Sequence, residues 1–425
     1  MNHGMEPEHH ALPWSQFTEL ARGGGGKDAI QRLVAAQRSK HVILVRGVAE
    51  MARRGDNPDR AIAVAGYELL ARVQHENHAA ADKVISHPSV GAWALRTLRG
   101  DHSVPGARPD GLAAVAAAAA IRAGLDAEIE VPVRGDSVML PSLGAADAHD
   151  ATAIVHTASA EIRSRGLRVV ASPGTPGWRE VRNAQAGTLD VLIDDLDPFR
   201  MPATDGEPTE RLAPPRLIEL ASLLRDTWKV LSPASAAEIA EIVRVIVPYK
   251  APGSGHVSTS SPESFGTIAM SRQPDKYTCA ETLVHETQHL KLCALLDLVT
   301  LTIPDDGQRY YAPWRTDPRP ASSLLQGAYA FLGVSGFWRE QRQTSPELLV
   351  RRRAQAEFAR WREGAALVVD TLRGSGQLTA AGQDFAGEMA QVLEAWRREP
   401  IPGDALNLAR RQADRHLAQW YADNG

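Results

Sequence analysis

Residues 281 to 292 read ETLVHETQHLKL and lie inside a longer run, CAETLVHETQHLKLCALLDLVTL, whose spacing predicts one helix. Leu283, Leu290, Ala294, Leu295 and Leu298 fill one side of it, and Leu292 and Leu296 lie between the histidines' face and its continuation. A helix apolar nearly all round is stable only when enclosed, so the fold has to wrap it. His285 and His289, four residues apart, point the same way one turn along. Enclosed together, the two imidazoles are either hydrogen-bonded core side chains or ligands of one metal ion, and a metal removes the penalty of burying them unpartnered.

A chain of 425 residues exceeds what one small core organises, which predicts two lobes, or one catalytic lobe wrapped by further elements. Its 47 basic and 51 acidic side chains are well mixed, with a formal net charge of −4, so no basic stripe points to a nucleic-acid partner. The two cysteines, Cys279 and Cys293, both flank the motif; so few argue against a disulfide-stapled secreted protein and for a reducing compartment. The start, MNHGMEPEHHALPW, has acids and histidines where a signal peptide needs a basic segment and then an apolar one. No stretch approaches the ~18 uninterrupted apolar residues of a membrane span. The expectation is a soluble, cytoplasmic protein with no membrane partner.

Texture along the chain predicts a mainly α fold with a smaller mixed α/β section. Residues 1–126 form a helical region, with apolar residues at three and four spacing in AIQRLVAAQRSKHVILVRGVAEMARR and LAAVAAAAAIRAGL. Residues 127–210 are strand-rich, with β-branched segments such as AEIEVPV, TAIVHT, LRVVAS and LDVLIDDLDPF between Gly, Pro and Asp clusters. ATDGEPTERLAPP, residues 203 to 215, reads as a linker. Residues 211–425 carry the motif, expected to pack on a short sheet that includes SFGTIAMS, and then a helical C-terminal layer. RGGGGKD, residues 22 to 28, lacks a preceding strand and has Asp28 where a phosphate loop needs Ser or Thr, so it reads as a flexible inter-helix loop.

HExxH first suggests a zinc peptidase in which Glu286 activates water. A metzincin would continue with Gly at 292 and His at 295, where this chain has Leu292 and Leu295. A gluzincin needs a glutamate on a following helix, for which Glu340 is the nearest candidate. Eight residues of helix span roughly 12 Å, so three consecutive i, i+4 positions cannot reach one ion, and neither Glu281 nor Cys293 easily joins both histidines. Glu281 is then expected to orient His285 from behind, and Cys293 and Cys279 to be core thiols. Two further histidines stand outside the motif: His256 as a possible third imidazole, and His416 on a solvated helix face.

RYYAPWRTDPRPASSLLQGAYAFLGVSGFWR, residues 309 to 339, is the second informative stretch. Pro313, Pro318 and Pro320 stiffen a loop bearing Trp314, Arg315 and Arg319, which is either a carboxylate cradle or a pair of surface ion pairs. Ser322 and Ser323 read as the cap of a helix beginning near Leu324, with Gln326 in its first turn, where its amide oxygen could reach a metal.

AETLVHETQHLKLCALLDL followed by YYAPWRTDPRPASSLLQGAYAFLGV resembles the HExxH-motif proteins encoded beside the precursor peptides of ribosomally made natural products. The resemblance extends through most of the chain, including LIDDLDPFR. It implies an iron- and 2-oxoglutarate-dependent peptide β-hydroxylase, with Fe(II) on His285 and His289, O2 as oxidant and a precursor peptide as substrate. Such a centre needs three protein ligands and open positions for the 2-oxo acid and O2. Arg315 or Arg319 would bind the distal carboxylate of 2-oxoglutarate, beside Trp314, and Glu286 would handle a proton or support the ligands. The family carries His or Gln where Gln326 stands, and some members a histidine where Phe331 stands. The third ligand therefore stays open, with Gln326 preferred to His256. A zinc peptidase and a non-catalytic peptide-binding metal protein remain the alternatives.

Overall fold

A computed structural model describes residues 10–54, 58–101, 103–201, 208–251, 253 and 255–424. Residues 1–9 of the histidine-bearing start and 202–207 of the expected linker lie outside the described residues. The chain opens with helices α1 (Trp14–Ala21), α2 (Gly26–Arg54), α3 (Arg60–Glu76), α4 (His78–Ile85), α5 (Pro88–Arg99) and α6 (Gly111–Ala123). Strands β1 (Glu128–Pro132), β2 (Ser137–Leu140), β3 (Gly144–Asp147), β4 (Thr152–His156), β5 (Glu161–Ser164), β6 (Leu167–Val170), β7 (Trp178–Glu180), β8 (Arg182–Ala186) and β9 (Leu189–Ile193) follow. Then come α7 (Pro214–Trp228), α8 (Pro233–Ile242), β10 (Val245–Pro248), β11 (Ser258–Thr259), β12 (Thr267–Met270) and the motif helix α9 (Lys276–Leu296). Helices α10 (Ala321–Thr344), α11 (Leu348–Gly374), α12 (Ala380–Arg397) and α13 (Gly403–Asn424) complete a mainly α chain with a smaller α/β section.

Two hydrophobic cores organise these elements, and they divide the chain differently from the expected 1–126, 127–210 and 211–425. The first core joins the second half of α2 and α3–α6 to the strands up to β7. Its centre is α6, whose alanine run gives high helix propensity and a thin waist. Gly66 of α3 fits there because a Cβ would come within 2.5 Å of the Ala113 backbone nitrogen. The second core holds α1, the start of α2, β8, β9, β10, β12 and α7–α12. A change of sequence texture marks a change of secondary structure, whereas core membership follows which apolar face covers which. Leu189, Val191 and Ile193 of β9 are buried with the motif core, so the β8–β9 hairpin leaves the strand-rich section to join it. Helix α2 contributes to both cores, and its 29 residues make a strut of about 43 Å.

The motif core contains one five-stranded sheet, ordered β11-β12-β10-β9-β8. β9, β10 and β12 run parallel, and β8 and β11 pair antiparallel at its two edges. Helix α9 meets this sheet at β11, as expected of a motif helix on a short sheet, and helices α2, α7, α8 and α10 cover its other sides. Asp275 caps it, accepting hydrogen bonds from the backbone N–H groups of Tyr277 and Thr278. Of the expected flexible loop at 22 to 28, residues 26–28 are the first turn of α2 and the rest is tied down: the Gly23 carbonyl accepts from Gln288 Nε2 at 2.8 Å and from the buried Lys291 Nζ at 2.9 Å, both on α9. Among the described residues no helix is long and apolar enough to cross a membrane.

Candidate metal centre

Helical spacing brings His285 and His289 together as predicted, with their Nε2 atoms 3.1 Å apart and rings nearly perpendicular at 76°. At that separation two neutral imidazoles either share one proton or turn both lone pairs to a common ion, since each can lie ~2.1 Å from the same metal. Burial, then the neighbouring His289, push the His285 pKa down to about 4 against the opposing pull of Glu286. The ring is therefore neutral near pH 7, the state that ligates. Phe331 stands edge-on to it, centroids 5.2 Å apart, and closes its apolar side.

Glu286 is buried, and each of its oxygens accepts one hydrogen bond: Ser258 Oγ donates to Oε1 and Ser260 Oγ to Oε2, each at 2.7 Å. Gln326 approaches His289 from its other nitrogen, with Oε1 accepting from Nδ1 at 3.1 Å. That bond fixes the tautomer and leaves Nε2 as the lone-pair face. The amide's Nε2 donates to Cys293 Sγ at 3.6 Å. Helix α10 begins at Ala321 behind an extended Pro320, with no side-chain cap, so Ser322 and Ser323 are not caps but face the cavity. Gln326 accordingly falls in the second turn rather than the first.

The arginine loop is closed by reciprocal backbone hydrogen bonds between Tyr310 and Arg319, at 2.8 and 2.9 Å. Trp314 stacks on Phe331, centroids 4.6 Å apart, and its indole lies over Gly327. Any Cβ at 327 would sit 2.5 Å from the Trp314 ring nitrogen, so glycine is what lets the loop touch α10. Arg315 Nε and Arg319 Nη1 each donate to Asp317 at 2.8 Å. Arg315, aided by Arg319, holds the Asp317 carboxyl down to about 2. A cavity of about 610 Å³ joins both halves: His285, Glu286, His289 and Gln326 on one wall, Trp314, Arg315 and Arg319 on the other.

Other expected residues fall elsewhere. Glu281 does not reach His285; it turns to Arg353 of α11, 3.8 Å away, and burial, then repulsion by Glu357, push its pKa up to about 7. A four-residue step places it on the same side as His285, one turn back, but its carboxylate turns to Arg353 instead. His256 is exposed outside the cavity, His416 hydrogen-bonds Tyr311 at 2.9 Å, and Glu340 lines a separate pocket. Cys279 is the expected core thiol, pushed up to about 11 by burial, whereas Cys293 lines the cavity. Ser258 and Ser260 were not singled out from the sequence, although STSS puts alternate hydroxyls on one strand face.

Among the described residues no group of three or more His, Cys, Asp or Glu side chains could hold a metal ion. The donor set is a convergent imidazole pair, with the Gln326 amide engaged on the far side of His289, and it fits a divalent ion held by two nitrogens with further positions open. No family model and no curated protein sequence matches the chain.

Proposed function

We propose that this chain is an Fe(II)- and 2-oxoglutarate-dependent hydroxylase acting on the β-carbon of a residue in a ribosomally made precursor peptide, within the family it resembles. One observation carries the reading: a single cavity gathers two convergent imidazoles and two guanidiniums. His285 and His289 would hold the ion, and Gln326, expected as the third ligand, instead accepts from Nδ1 on the far side of His289 and orients that ring. Arg315 and Arg319 offer charge-assisted hydrogen bonds to the distal carboxylate of 2-oxoglutarate. Iron, 2-oxoglutarate and O2 together would supply the oxidising chemistry that replaces a C–H bond by C–OH. Phe331 and Trp314 form a dry wall that keeps bulk water from the reacting side chain. Glu286, next to His285 in the chain, holds Ser258 and Ser260 at the cavity wall and would support the ligands or handle a proton.

A peptidase on the same motif uses Glu286 to take a proton from water, and here each carboxylate oxygen already accepts from a serine, which leaves one lone pair on each for that task. Unpaired Cys279 and Cys293 suit the cytoplasm, which belongs to the same proposal. The test is anaerobic purification, Fe(II) loading, and mass spectrometry of a precursor peptide encoded beside this chain after exposure to O2 and 2-oxoglutarate. Gain of one oxygen atom, dependent on both iron and 2-oxoglutarate, is the expected result; cleavage by the zinc-loaded protein alone would overturn the reading.

A further inference from the structure

The arginine loop contains a carboxylate that this reading leaves without a task. Asp317 lies between Arg315 and Arg319, and each of its oxygens accepts one N–H, from Arg315 Nε and Arg319 Nη1, at 2.8 Å. Among the described residues neither guanidinium makes another hydrogen bond, so the rest of each fork is free. Both arginines line the cavity of the histidine pair and Asp317 does not, so its carboxylate bridges them without lining that cavity. The loop that presents the three is itself held, by the Tyr310–Arg319 backbone pair and by the seating of Trp314 on Gly327.

Two neighbouring guanidiniums repel, and on flexible stems they would splay into solvent. Their side chains are 51% and 34% exposed, so packing alone does not fix them. We propose that Asp317 is a positioning residue that holds Arg315 and Arg319 side by side as a ready site for one carboxylate of a dicarboxylate. The choice of dicarboxylate rests on the 2-oxoglutarate reading above; the positioning role does not. An aspartate that blocked the site instead would lie inside the cavity, as a carboxylate the ligand must displace.

The two roles predict opposite signs. Asp317→Asn adds one unit of positive charge beside the arginines, so if charge alone mattered, or if Asp317 competed, anions would bind more tightly. If Asp317 positions, the asparagine amide keeps one weakened bond and turns a donor towards the other guanidinium, so the forks lose their common anchor and binding weakens. Asp317 is 45% exposed, so the variant is expected to fold as the parent does. Isothermal titration of glutarate into metal-free full-length protein, wild type, D317N and D317E, measures this without reference to turnover. The expected result is affinity about tenfold weaker in D317N and partly recovered in D317E. In Fe(II)-loaded protein the KM for 2-oxoglutarate rises by a similar factor, with kcat at saturation unchanged.

Equal or tighter glutarate binding by D317N overturns the positioning role alone. Wild-type protein that binds no glutarate overturns it too. Wild-type protein that binds glutarate yet never consumes 2-oxoglutarate overturns the hydroxylase reading and leaves Asp317's role standing.

Discussion

The two walls of the cavity are built by opposite means. On the motif wall, Glu286 is 2% exposed, His285 and His289 project from a helix enclosed by four others, and every orienting bond comes from a distant element. On the loop wall the arginines are half in solvent, and their order comes from residues within a few positions: Asp317, Tyr310 and the prolines. The first wall is part of the core, and the second is a largely local device tied to the core through Trp314. Substitutions in one wall should therefore separate cleanly from substitutions in the other.

The largest expected effect is on the motif wall. His285→Ala removes half the imidazole pair, and iron content after anaerobic loading should fall to background while the thermal transition persists. Replacing Ser258 and Ser260 together by alanine leaves a buried carboxylate without donors, at about 1.5–3 kcal/mol for each charged hydrogen bond lost. Chemical denaturation should show that loss with the glutarate affinity unchanged. Gly327→Ala attacks the other wall: its Cβ displaces Trp314, and overpacking of this kind costs about 1–3 kcal/mol. The dicarboxylate affinity should drop with it, while iron binding is retained.

The smallest effect lies far from both walls. Burial, before the Coulombic effect of Lys40, pushes His41 down to about 4; burial, then Arg122 and His41, push His87 down to about 3; both lie in or beside the first core. Below the ordinary value of 6.5 the unfolded chain takes up protons that the folded chain refuses, so stability is full above 6.5 and declines as pH falls toward 4. Between pH 7 and pH 6 the loss is roughly 0.7 kcal/mol per histidine, readable by denaturant titration at the two pH values. His87→Asn should flatten part of that slope.

These walls also differ in how far the sequence reveals them. The pairing of His285 with His289 is helix geometry, local to five residues, and it is legible at once. The proline-stiffened arginine loop is legible as a loop, and so is the helix that follows it. Neither Ser258 and Ser260 on Glu286 nor Gln326 on the Nδ1 side of His289 could be read, because each contact joins elements separated by 26 residues or more. Glu281 has helical spacing in its favour and is drawn away by Arg353, 72 positions later in the chain. The transfer of β8 and β9 to the motif core is of the same kind. LDVLI marks β9 as a strand, and only its pairing with β10 assigns the sheet.

The central claim is that the imidazole pair and the arginine pair serve one reaction. It is tested most directly without knowing the peptide, by measuring succinate released from 2-oxoglutarate by the Fe(II)-loaded protein in the presence of O2. The account predicts slow succinate formation that matches O2 uptake and is lost in both His285→Ala and Arg315→Ala/Arg319→Ala. Succinate formation that survives either variant, or protein that takes up iron and never consumes 2-oxoglutarate, would contradict it.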